Sequence, residues 1–151
     1  MDRLKWWMRI VGGFYVLIGA FNTPLIIEAR LETQYPNLGV PTDSPAAQAL
    51  VDTWFMFGLE VAVIGVALIL FSWDPLRNVA LVWTVIGLEA IRGIFDDIYL
   101  IATGSDNPAI YVAWILVHAV IIVTGLMAIR SARSAHGLAM AGIPATEART
   151  S

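Results

Sequence analysis

The sequence predicts an all-α fold, an antiparallel four-helix transmembrane bundle with both termini cytoplasmic, and three observations carry that expectation. Apolar residues fill 58% of the 151 positions and charged residues only 14%, with a mean hydropathy of +0.74, against about 25% charged in soluble domains. Four segments, 6–27, 53–73, 79–101 and 109–129, each reach the roughly 20 apolar residues that cross a hydrocarbon layer. Arg3, Lys5 and Arg9, then Arg77, then Arg130 and Arg133 fall on one side of these spans, leaving only Arg30 opposite; the basic side is the cytoplasmic one.

The first span opens on MDRLKWWMRIVGGFYVLIGAF, a basic start and an apolar body of the kind a signal sequence carries. The run continues past signal length to Ile27 without a small-x-small cleavage site, so a retained span is expected. The outer loop 28–52 holds Pro36, Pro41 and Pro45 and is expected to be largely irregular. Ser44 followed by Pro45 reads as an N-cap and first helical residue, which would start the second helix outside the membrane, either as a lid or as a plain connector. SWDPLRN and TGSDNP are tight turns, and 131–151, rich in Ala, Ser, Thr and Gly, is expected as a flexible cytoplasmic tail after a single membrane domain, 1–130. Trp6, Trp7, Trp54, Trp73 and Trp114 fall near span ends, where amphipathic rings favour the headgroup layer.

Several function classes drop out. With no cysteine there is no thiolate, disulfide relay or iron–sulfur ligation, and with two histidines, one in the tail, no bis-histidine haem can be built by one chain. The nine basic residues are scattered in a chain of net charge −3, so no nucleic-acid surface is expected. Neither a phosphate-cradling glycine loop nor a nucleophile elbow is present. No cofactor is called for, and a carboxylate–histidine metal site from Glu60, Asp96 or Asp97 with His118 fits no ligand spacing, so no metal is expected.

The third span contains EAIRGIFDDIYL, three carboxylates and an arginine where each costs about 3 kcal/mol to insert. At 100° per residue Glu89, Arg92 and Asp96 share one face within about 60°, so Arg92 is expected to pair with both carboxylates, while Asp97 points about 100° from Asp96. A self-neutralising clasp between helices is one reading of that triad. The other spans also carry polar groups, Asn22, Glu60 and His118, and all six lie within roughly 6 to 16 Å of the outer ends at 1.5 Å per residue. That common depth points to one site in the outer half of the bundle, since intramembrane ionisable groups are usually functional.

Carboxylates in a buried setting, a histidine and a charge-fixing arginine are what proton transfer needs. The expected chemistry is acid–base catalysis on a lipophilic small molecule: isomerisation, cyclisation or opening of an epoxide. Glu60, Asp97 and His118 are the catalytic candidates; Glu89 and Asp96 orient Arg92, and Asn22 holds a substrate oxygen. Tyr15 and Tyr99 could add a hydroxyl. The alternative is a non-enzymatic binding or accessory subunit that holds a lipid, quinone or partner helix. Gly12, Gly13, Gly19 and Ala20 in the first span, and Gly58, Ala62 and Gly65 in the second, are small-residue stripes. Because the second stripe lies opposite Glu60, an inward Glu60 turns it outward, and a homo-oligomer joined through the second helix is expected.

The opening LKWWMRIVGGFYVLIGAFN, four spans in 151 residues and the acidic third helix resemble the small bacterial membrane proteins grouped as BphX-like, and more loosely the DoxX-like bundle. The resemblance implies a multi-pass four-helix protein of the bacterial inner membrane and transfers no catalytic residue.

Overall fold

A computed structural model describes residues 2–35, 39–104 and 108–140, without the side chains of 32–34 and 138–140. Pro36, most of the third turn (105–107) and the tail from 141 lie outside the described residues. Every regular element is helical: α1 (Asp2–Phe21), α2 (Pro24–Gln34), α3 (Pro45–Phe71), α4 (Val79–Leu88), a π-helical segment (Glu89–Phe95), α5 (Asp96–Ala102) and α6 (Pro108–Met140). α1, α3 and α6 are long and apolar enough to cross a membrane, and only 22% of the most apolar window of α3 or α6 is buried. Leu17, Met56, Val63, Leu70, Leu116, Val120 and Met127 all face outward. Lipid is the medium that such a surface fits.

α1 stops short of its expected end at Ile27. Asn22 folds back so that its Nδ2 donates to the Ile18 carbonyl at 2.8 Å, Thr23 takes an extended N-cap conformation, and Pro24 opens α2. Proline lacks the N–H that would continue α1 and fits the first turn of a new helix. α2 therefore occupies part of the expected irregular loop. It packs on α3 and buries Ile27 and Leu31. Beyond it, the Ser44 hydroxyl accepts from the Ala47 amide at 3.2 Å and Pro45 begins α3, as the Ser–Pro pair predicts.

The core forms where α1, α3, α4 and α6 meet, around Leu4, Met8, Val11, Leu68, Val82, Val85 and Ile121. α1 and α3 make the closest pairing. A Cβ on Gly12 would stand 2.7 Å from the Gly65 carbonyl oxygen, one on Gly65 2.6 Å from that of Gly12, one on Gly19 2.6 Å from Ala62 Cβ, and one on Gly58 2.5 Å from Asn22 Cβ. The two stripes thus fill each other within one chain, which lets the backbones touch. This corrects the expectation that Gly58, Ala62 and Gly65 face a second copy and removes the basis for an oligomer through that face.

Where the start of α1 meets the end of α3, Arg9 Nε donates to Ser72 Oγ at 3.1 Å, and Lys5 and Arg9 lie 5.0 and 4.8 Å from the centre of the Trp73 ring. The turn between α3 and α4 is closed by Asn78 Nδ2 donating to the Asp74 carbonyl at 2.8 Å. α6 runs past the boundary expected at Arg130 as far as Met140. Ala-rich sequence sustains it, and the next proline, Pro144, comes later.

Candidate functional site

Val79 to Ala102 is helical without a break, but Glu89–Phe95 is wound with i→i+5 bonds. Such π segments are rare, occur mostly as single turns and concentrate at functional sites. In a regular α-helix Glu89 and Asp97 would point about 80° apart. The looser winding turns less per residue and brings both carboxylates onto the same histidine of α6.

Glu89 is 4% exposed. The Tyr15 hydroxyl of α1 donates to its Oε1, and His118 Nδ1 contacts its Oε2. An ionised carboxylate only accepts, so that pairing puts a proton on Nδ1 whenever Glu89 is charged. On the other side of the ring, His118 Nε2 lies 3.6 Å from Asp97 Oδ2, too far for a direct hydrogen bond. Asp97 is 8% exposed, and this oxygen has no hydrogen-bond partner among the described residues. Tyr15, Glu89, His118 and Asp97 form one string from α1 through the π segment and α6 to α5.

The ring of His118 is held on two faces. Trp114, one turn earlier, stacks on it at 5.9 Å and 29°, so this tryptophan supports the site as well as sitting near a helix end. Gly93 makes room on the other face, where a Cβ would stand 2.5 Å from His118 Cγ. Only glycine lets the π segment and α6 approach this closely.

Arg92 does not pair with Glu89 or Asp96. Its Nη1 donates to Glu60 Oε2 of α3 at 2.8 Å, with the guanidinium 4.9 Å from the Phe57 ring centre. The expected Glu89–Arg92–Asp96 rail is therefore corrected: the π turn rotates Glu89 into the core and leaves Arg92 facing α3. Glu60 is outward, with 61% of its side chain exposed, which agrees with its position opposite the packed glycine stripe. A small cavity of about 70 Å³ lies between α3 and the π segment. Phe14, Tyr15, Phe57, Glu89 and His118 line it, together with the exposed Glu60 and Arg92. Phe14 also borders a larger apolar groove of about 890 Å³ between α1 and α6.

The remaining candidates lie elsewhere. Asn22 is buried, but its Oδ1 accepts from Arg30 Nη2 at 2.6 Å and its Nδ2 is used by Ile18, so it is committed to the α1–α2 junction and does not line the cavity. Asp96 is exposed. Beyond α2, Trp54 Nε1 donates to the Tyr35 hydroxyl at 2.8 Å; burial pushes the Tyr35 phenol above its usual range, with Tyr111 and Asp96 adding to the effect. Burial likewise lowers the Arg30 guanidinium. Among the described residues no three His, Cys, Asp or Glu side chains are grouped to hold a metal.

Sequence reasoning had Tyr15 as a spare hydroxyl and missed Gly93 and Trp114 as site residues. Trp114 lies four residues before His118, a spacing that sets two side chains over one another on a helix. Tyr15 lies on the same face as Gly12 and Gly19.

A family model described as BphX-like matches residues 1–134. The chain belongs to the BphX-like family. Two relatives of this BphX-like chain are the "Uncharacterized BphX-like protein" of Burkholderia cepacia and the "Uncharacterized BphX-like protein Bxeno_C1129" of Paraburkholderia xenovorans strain LB400. Each is 25% identical over 134 residues, covering 89% of this chain and 96% of the relative. No solved structure matches. The string Tyr15, Glu89, His118 and Asp97 lies inside the matched region.

Proposed function

We propose that this BphX-like protein crosses the bacterial inner membrane four times, through α1, α3, the run from Val79 to Ala102, and α6, with both ends in the cytoplasm, and carries out acid–base chemistry on a lipophilic small molecule. The lysine and arginine distribution supports the orientation, and reporter fusions at either end test it.

One observation carries the chemical reading: a buried carboxylate, Glu89, has a hydroxyl on one oxygen and an imidazole on the other, beside a cavity. Glu89 is the acid or base at the cavity wall. His118 passes protons between it and Asp97, and Tyr15 spends its one O–H on the second oxygen, which fixes the carboxylate in place. Isomerisation, cyclisation and epoxide opening each require such paired donor and acceptor groups. The earlier assignment of Glu60 as acid or base gives way to Glu89, and Glu60 becomes the partner of Arg92.

The test is isotope incorporation. Protein in lipid nanodiscs is given a panel of lipophilic enones, alkenes and epoxides in D₂O or H₂¹⁸O, and products are read by mass spectrometry. Wild type incorporates label, and Glu89→Gln loses the activity by about 100-fold or more with helix content unchanged. No label with any substrate class, or equal label from Glu89→Gln, contradicts the reading.

The small volume of the cavity favours a second reading, a binding or accessory subunit, because ligand pockets usually enclose about 300–1,000 Å³. Lipid or quinone copurifying with wild type and lost in Glu89→Gln, without turnover, would support it.

A further inference from the structure

The Glu60–Arg92 pair presents a problem that the buried string does not solve. Glu60 lies eleven residues before Phe71, the last residue of α3, about 16 Å along the helix at 1.5 Å per residue, well inside a hydrocarbon layer about 30 Å thick. Yet 52% of the Arg92 side chain and 61% of the Glu60 side chain are exposed. A guanidinium has five N–H donors. Among the described residues only Nη1 of Arg92 has a hydrogen-bond partner. Lipid tails accept no hydrogen bonds, so the remaining donors are costly until an oxygen-rich group reaches them. The same arginine lines the cavity that holds Glu89.

We propose that Arg92 anchors the carboxylate of a lipophilic carboxylic acid, and that this acid is the class of substrate whose carboxyl end reaches the cleft beside Glu89 while its apolar body lies in the lipid. The proposal rests on the reading of that cleft as a substrate site and names what enters it. Depth selects the class. A phosphate or sulfonate headgroup stays charged and remains at the interface, whereas a carboxylic acid sheds its charge by protonation and dissolves in the membrane interior.

Exchange at the pair then needs no net charge to move. The neutral acid arrives from the lipid, its O–H bond breaks, and the proton goes to the Glu60 carboxylate. Protonated Glu60 releases Arg92, and the new carboxylate takes the guanidinium in its place. An arginine fork accepts a carboxylate by two parallel bonds, a geometry the single Nη1 bond to Glu60 leaves unused. Phe57 beneath the guanidinium supplies an apolar floor.

The experiment uses full-length protein in lipid nanodiscs with dodecanoic acid, methyl dodecanoate and dodecyl phosphate as probes, read by calorimetry. The acid binds about tenfold or more tightly than the ester or the phosphate, and Arg92→Gln removes that preference. Isotope-edited infrared difference spectra with ¹³C-carboxyl acid show the label as carboxylate and a new unlabelled protonated carboxyl. Glu60→Gln retains the first signal and lacks the second. Because Arg92→Gln leaves Glu60 unpaired and could disturb folding, Glu60→Gln provides the independent arm. Equal binding of acid and ester, or binding unaffected by Arg92→Gln, overturns the proposal, as does equal binding of the phosphate. Glu89→Gln keeps acid binding, so loss of turnover in that variant is separable from loss of the anchor.

Discussion

The Tyr15 hydroxyl donates to Glu89 Oε1 across 74 positions of sequence, which ties α1 to the π segment through a carboxylate almost fully withdrawn from solvent. Its other oxygen is taken by His118, so one side chain links three helices.

Tyr15→Phe removes the hydroxyl and leaves Oε1 of a buried carboxylate without its donor. Hydrogen bonds to charged groups contribute about 1.5–3 kcal/mol. The variant is expected to lose about that much stability and to unfold at lower temperature, with helix content unchanged. Circular dichroism and thermal denaturation in detergent check this.

Gly93→Ala and Gly87→Ala form a contrasting pair six residues apart. A methyl at Gly93 displaces the His118 ring, and overpacking of this kind costs about 1–3 kcal/mol. At Gly87 nothing lies within 4 Å, so alanine there is expected to be neutral or stabilising by up to about 1 kcal/mol. The two melting temperatures should move in opposite directions or differ clearly.

Gly65→Val drives a branched side chain into the Gly12 carbonyl and the base of Tyr15. Because that stripe packs inside the protomer, the expected outcome is loss of stability without a change of oligomeric state. Light scattering alongside thermal melting separates the two. Dissociation of a stable oligomer by this variant would restore the stripe as a contact between copies.

Tyr35 reports on the end of α2. Its folded-state pKa is raised above the ordinary 10.0, chiefly by burial. The folded state therefore holds the phenolic proton more tightly than the unfolded chain. The resulting stabilisation is complete below about pH 10 and is lost as pH rises through the folded value. Alkaline titration of phenolate absorbance should show late-titrating tyrosine whose amplitude falls by one residue in Tyr35→Phe.

Much of this architecture was legible in the sequence because lipid imposes a length and a composition that solvent does not. The apolar runs and the Ser44–Pro45 start follow from local chemistry, whereas the polar groups expected together divide, with Asn22 held at the α1–α2 junction and Asp96 exposed. Rotation within the helical run from Val79 to Ala102 was not legible. A period of 100° per residue put Glu89, Arg92 and Asp96 on one face, and nothing in EAIRGIF announces i→i+5 winding except a glycine, Gly93, whose purpose depends on His118 of another helix. The glycine stripes were visible, but that α1 and α3 would fill one another is a tertiary fact. Once it is known, the outward Glu60 follows.

The account rests on Glu89 holding His118 through Nδ1. ¹⁵N-histidine NMR of the protein in nanodiscs measures this directly. Wild type should show a His118 Nδ1–H proton shifted far downfield by the charge-assisted bond; Glu89→Gln should lose that shift, and Tyr15→Phe should move it. A His118 resonance unchanged by Glu89→Gln would show that the carboxylate and the imidazole are not coupled and would contradict the account.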